Sequence, residues 1–178
     1  GFFLASQAFL SDPENYALDR SQKEFLKNET FHGNEIVGAT FKTALMNLYL
    51  HNIGDIYGKI PITLGDALLA DPGYRVDYVL TNPPFGKKSS ITFTNEDDEQ
   101  EEEDLVYNRQ DFWTTSSNKQ LNFLQHINTI LKSTGKAAVV LPDNVLFEGG
   151  AGEIVRKKLL KTTDLHTILR LPTGIFYK

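Results

Sequence analysis

The stretch Val76-Asp77-Tyr78-Val79-Leu80-Thr81-Asn82-Pro83-Pro84-Phe85 joins a short apolar run to a corner locked by two prolines. The run is rich in β-branched and aromatic residues and too short for a typical helix, which predicts a buried strand. The corner then follows directly on the carboxyl end of a strand, where open α/β folds bind their ligands. Consecutive prolines fix φ and remove two N–H donors, so the carbonyls stay free to accept. Asn82 adds an amide that both donates and accepts, and Phe85 adds an aromatic face. Together these groups suit a planar ring bearing an exocyclic amino group. The same residues also suit a plain rigid turn, and the corner by itself leaves both readings open.

Outward from this corner, short apolar runs alternate with helical patterns. Strands are expected at residues 34–38, 60–64, 137–141 and 165–171. Helices are expected at 2–10, 41–53, 120–131 and 154–160, with Thr40 capping the second and 19–31 a loop containing a possible helix. Such alternation predicts an α/β fold with a mostly parallel sheet and helices on both faces. Residues 87–117 lack any periodic pattern and include the acidic run from Glu96 to Asp104, and are expected to form a flexible loop.

Composition narrows the class. The chain has 178 residues, 40% hydrophobic and 23% charged, enough for one full core. It has no cysteine, which rules out disulfides and cysteine-bound metals and accords with a cytoplasmic location. No apolar run suits a membrane span. The formal charge of −5 is unusual for a free-standing nucleic-acid binder, so most phosphate contacts would fall to another domain or subunit. His51 and His126 fall in helical patterns without metal-ligand spacing and read as structural. Arg156-Lys157-Lys158 reads as a solvated helix face rather than a DNA contact.

Further motifs flank the corner. They are Gly33-Asn34-Glu35-Ile36 with the helix Ala44-Leu45-Met46-Asn47-Leu48-Tyr49-Leu50-His51-Asn52; Gly65-Asp66-Ala67-Leu68; Gly135-Lys136 leading to Val139-Val140-Leu141-Pro142 and Val145-Leu146-Phe147; and Leu169-Arg170-Leu171-Pro172 ending in Ile175-Phe176. In this order they resemble the modification subunit of type I restriction systems, an adenine-N6 DNA methyltransferase family, over nearly the whole chain except the acidic run. The resemblance implies a Rossmann-like, S-adenosylmethionine-dependent methyltransferase fold. Asn82, Pro83, Pro84 and Phe85 match its catalytic signature. Glu35 matches the carboxylate that binds the cofactor ribose, with Ile36 beside the cofactor adenine. Asp66 matches the acceptor for that adenine's amino group. Gly1-Phe2 matches the tail of the glycine-rich cofactor turn. The resemblance also implies DNA, a specificity subunit and a restriction subunit as partners, and no metal in the transfer.

Against the family pattern, the first strand is missing. Residues 1–178 are therefore expected to be part of a catalytic domain, inactive alone, and prone to self-associate or swap strands at two unpaired edges. Two competing readings are an amino-methyltransferase acting on RNA or protein glutamine, and an inactive assembly module.

Overall fold

The structure is a computed structural model that describes residues 1–84, 90–94, 100–104, 106–172 and 174–175. Its elements, in chain order, are α1 (Phe2–Ser11), α2 (Arg20–Asn28), β1 (Gly33–Glu35), α3 (Gly38–Leu50), β2 (Ile62–Leu64), β3 (Val76–Thr81), β4 (Ser90–Thr94), β5 (Gln100–Asp104), α4 (Lys119–Ile130), β6 (Leu131–Val139), a 3₁₀ turn (Asp143–Leu146) and α5 (Ala151–Thr162). Two compact units result. The first comprises Gly1–Asn82 with Ile130–Val139, the second Pro83–Thr129 with Val140–Lys178.

In the first unit, β1 and β2 run parallel with Glu35 opposite Leu64, and α3 is the crossover between them. Parallel strands need such a crossover, and a helix is the usual one. The core of this unit gathers Leu26, Phe31, Leu48, Ile53 and Ile62, with Phe3, Phe41 and Leu45 packed against it. Gly33 has no side chain because α1 lies against it: a Cβ there would meet the Phe3 ring at 3.0 Å. Helix α2 is set by a capping box in which Asp19 accepts from the Gln22 N–H at 2.8 Å and Gln22 accepts from the Asp19 N–H at 2.9 Å.

The second ladder of this unit pairs β3 with β6, also parallel, with Thr81 opposite Val139. Its register shifts between Val76 and Tyr78. Gly135 lies in the β6 stretch facing that shift, where a Cβ would sit 3.0 Å from the Asp77 carbonyl and closer still to Leu131. The sheet expected to be covered on both faces is largely open here, with Tyr78 69% exposed and only Val79 of β3 buried. Two-stranded ladders present too little surface to close a core by themselves.

The second unit centres on Leu121, Val145 and Val155, joined by Trp113, Leu124 and Leu159. Within the stretch expected as a flexible loop, β4 and β5 pair antiparallel, Ser90 opposite Asp104 and Thr94 opposite Gln100. The β-branched Ile91, Thr92 and Thr94 favour extended backbone, which lets the acidic segment pair despite its charge.

Three further expectations are corrected. Gly38 opens α3 rather than ending a strand, and Val37, not Thr40, is the N-cap. Residues 165–171 form no strand, and Leu165, Ile168 and Leu169 are exposed: extended propensity alone does not make a strand without a hydrogen-bonded partner. Of the expected solvated face, Lys157 and Lys158 are exposed, while Arg156 is half-buried: its Nη1 donates to the Val145 carbonyl at 2.9 Å and ties α5 to the 3₁₀ turn. Among the described residues no helix is long and apolar enough to cross a membrane.

Candidate functional site

The corner Asn82-Pro83-Pro84 begins where the β3–β6 ladder ends, one residue past Thr81. Asn82 is exposed, Pro83 is buried and Pro84 is exposed. A backbone without N–H groups can be anchored only through its carbonyls. That anchor is Gln120, whose Nε2 donates to the Pro84 carbonyl at 3.0 Å. Phe85, the aromatic expected at this corner, lies outside the described residues.

Helix α4 carries more such links. Its buried side chains include Gln120, Asn122, Gln125 and His126 besides the apolar Leu121 and Ile127. Buried amides must find partners or cost stability. Here the partners are loop backbone. Asn122 Nδ2 donates to the Ser116 carbonyl at 2.8 Å, and Gln125 both accepts from the Thr114 N–H at 3.0 Å and donates to the Thr114 carbonyl at 3.1 Å. Asn118 caps the helix, its Oδ1 accepting from the N–H groups of Gln120 at 2.9 Å and Leu121 at 3.3 Å.

His126 Nδ1 lies 3.1 Å from Arg109 Nη1. A guanidinium only donates, so Nδ1 accepts and any ring proton sits on Nε2. Arg109 is buried, lies 4.2 Å over the Phe112 ring and pairs with Asp111 at 2.5 Å. Desolvation pulls the Asp111 carboxyl upward, but hydrogen bonds from Arg109 and Thr129 outweigh it and hold the group below its ordinary value. Its contribution to stability is therefore present above the ordinary carboxylate range and is lost as pH falls through the lowered value. His126 is thus a packing and hydrogen-bonding residue, in keeping with its sequence context. His51 sits at the end of α3.

The second group of expected residues gathers on the β1–β2 ladder. Glu35 ends β1, and the Gly65 N–H just past β2 donates to the Glu35 carbonyl at 2.9 Å, which places Asp66 at the same carboxyl edge. Glu35 Oε1 accepts from the Val37 N–H at 2.9 Å, which steers its carboxylate along the entry to α3. Asp66 Oδ1 accepts from the Leu68 N–H at 2.9 Å. Ile36, between Glu35 and the helix, is 65% exposed, a large apolar side chain at a strand end. Gly1 is the N-cap of α1, open to space among the described residues, and Phe2 is half exposed. Phe3, against Gly33, ties that helix to the strand bearing Glu35. Asn82 lies at the carboxyl end of the other ladder of the same unit.

Two carboxylates flanking an exposed aliphatic side chain at one sheet edge fit a nucleoside. One carboxylate can accept from vicinal hydroxyls, the apolar side chain can lie against a purine face, and the second carboxylate can accept from a ring amine. Motif reading of the sequence names these residues as candidates and does not single out Gln120 and Asn118. Their only trace was amides set among the apolar positions of a helix, which equally suits a solvated face.

Comparison with known proteins adds the family. A family model described as N-6 DNA Methylase matches residues 1–178. The type I restriction enzyme StySPI methylase subunit of Salmonella potsdam is 40% identical over 182 residues, covering 99% of this chain and 32% of that protein. The EcoKI methylase subunit of Escherichia coli (strain K12) gives the same identity and coverage, 40%, 99% and 32%. The crystal structure of the type I restriction enzyme EcoKI M protein superposes with a TM-score of 0.78 at 39% identity, covering 99% of this chain and 34% of that one. The chain thus spans about a third of the length of these relatives. At this identity and score its fold is an incomplete Rossmann-like methyltransferase fold. By the full-length family match and these relatives, the chain belongs to the N-6 DNA methylase family.

Proposed function

We propose that the protein to which these residues belong transfers a methyl group from S-adenosylmethionine to N6 of a flipped-out adenine in DNA, as the modification subunit of a type I restriction–modification complex. The observation that carries this reading is the exposed Asn82 at the end of a parallel strand, followed by a proline pair whose carbonyl is held from α4. The methylase relatives name the same chemistry class.

An adenine amino group is a poor nucleophile, because its lone pair is delocalised into the ring. Asn82 Oδ1 and the Pro83 carbonyl accept its two hydrogens, which favours tetrahedral nitrogen and localises the lone pair. Fixed acceptors need no reorganisation as charge develops on nitrogen, and that is the source of their rate effect. The base has to leave the duplex stack first, and Phe85 offers a face to receive it. Glu35 would hold the ribose hydroxyls of the methyl donor, Asp66 its adenine amine and Ile36 its adenine face, while Gly1 and Phe2 would border the methionine end. When bound, S-adenosylmethionine supplies an electrophilic methyl group on a sulfonium. A specificity subunit would read the DNA sequence and carry phosphate contacts that a chain of net charge −5 does not favour, and a restriction subunit would complete the complex. Residues 1–178 serve as part of the catalytic domain.

The test is methyl transfer by the whole protein with its specificity subunit, using S-adenosylmethionine with a labelled methyl group. Label is expected in unmethylated genomic DNA, recovered as N6-methyladenine. Label recovered instead in RNA or in protein glutamine would assign the competing amino-methyltransferase activity. Absence of cofactor binding by the whole protein would point to an assembly module.

A further inference from the structure

We propose that Gln120 is a positioning residue for the methyl transfer, fixing the direction of the Pro83 carbonyl through its hydrogen bond to Pro84. This role rests on the function proposed above. The reasoning starts from the corner's own chemistry. Neither Pro83 nor Pro84 has an N–H, so neither amide can pin the corner to the ladder that precedes it. What remains adjustable is ψ, because each proline ring fixes φ and each peptide unit is planar. The Pro83 carbonyl and the Pro84 carbonyl are separated by one locked φ and one ψ. Holding the second oxygen therefore restrains the plane of the first, the acceptor assigned to the adenine amine.

Gln120 is built to be a fixed donor. It is 3% exposed, and its Nε2 lies 3.0 Å from the Pro84 oxygen. Its own N–H is held by Asn118 Oδ1 at 2.9 Å, and Asn118 Nδ2 donates to Glu148 Oε2 at 2.6 Å, just past the 3₁₀ turn. The chain Glu148–Asn118–Gln120–Pro84 thus couples the corner to the loop before α5. Burying a glutamine where leucine would pack carries a desolvation cost, which the described bond to the Pro84 carbonyl offsets.

The experiment compares Q120M, which keeps length without a donor, and Q120E, which donates only when protonated, in the whole protein with its specificity subunit. For Q120M, kcat for methylation of unmethylated genomic DNA is expected to fall about 10–10²-fold, the range for a small misplacement of reacting groups, with KM for S-adenosylmethionine changed less than about twofold. For Q120E, the ratio of its kcat to wild type is expected to rise as pH falls, since a buried carboxyl has a raised pKa and regains an O–H donor on protonation. A merely structural role would lower cofactor affinity along with kcat and leave that ratio flat. A kcat for Q120M within about twofold of wild type, or a parallel loss of kcat and cofactor affinity, overturns the positioning role. If Q120M does not fold, the Q120E ratio decides alone: a rise supports the role and a flat ratio overturns it. A wild-type protein that binds cofactor but methylates no DNA overturns the function itself, and this role with it.

Discussion

Replacing Asn82 by alanine in the whole protein is expected to lower kcat for DNA methylation by about 10²–10³-fold, as for loss of one preorganised polar group facing developing charge. KM for S-adenosylmethionine should change little, because Asn82 follows the end of β3 whereas Glu35 and Asp66 stand at the edge of the β1–β2 ladder. Asn82 is exposed and lies past the last ladder pair, so its removal leaves no cavity and should hardly alter the thermal midpoint. Asn82→Asp retains an acceptor at the same place and should keep more activity than Asn82→Ala. Single-turnover rates with saturating cofactor separate these effects from binding. Equal rates for wild type and Asn82→Ala would remove the corner from the chemistry.

Glu35→Ala should act on the other half of the reaction. Loss of charge-assisted hydrogen bonds to the ribose is expected to cost about 1.5–3 kcal/mol, or roughly 10–10²-fold in the Kd for S-adenosylmethionine. Calorimetric titration of the whole protein measures it directly. The effect is not one of folding, because the carboxylate's described bond is a local one to the Val37 N–H. Glu35→Gln keeps that local acceptor while losing charge, so it should fall between wild type and alanine. If Glu35→Ala binds the cofactor as tightly as wild type, the edge formed by Glu35, Ile36 and Asp66 is not the nucleoside site.

The same residues show how far the fold is legible from sequence. The run at Val76–Thr81 was readable because it is short, β-branched and ended by proline, and it appears as β3 within the same bounds. The crossover between β1 and β2 was readable from the helical spacing of Leu45, Leu48 and Tyr49. Its start was not. A glycine usually marks a helix end, yet Gly38 is the first residue of α3, and the turn is held instead by the Glu35 carboxylate on the Val37 N–H. Helix α2 carried its signal in Asp19-x-x-Gln22, a capping-box spacing outweighed by the polarity of the segment around it.

Where local pattern and long-range pairing diverge, the pattern misleads. Residues 165–171 are as apolar as β3 but pair with no strand among the described residues, and their side chains stay exposed. The acidic residues Glu101, Glu102 and Glu103 resist a strand assignment by charge, yet the backbone pairs them with Phe93, Thr92 and Ile91. The candidate site divides in the same way. In the sequence Glu35 and Asp66 stand out only through the family resemblance, and Asn82 through its place directly after the run at 76–81. Gln120 reaches a carbonyl 36 residues earlier in the chain, a relation that only the folded arrangement defines.

A structure of the whole protein with its specificity subunit, a cofactor analogue and duplex DNA bears most directly on the chemistry assigned to the corner. The expected result is one adenine turned out of the duplex, its amino nitrogen within hydrogen-bond distance of both Asn82 Oδ1 and the Pro83 oxygen, about 2.7–3.2 Å. An adenine that remains stacked with cofactor fully bound, or one whose amino group faces away from both oxygens, would contradict it.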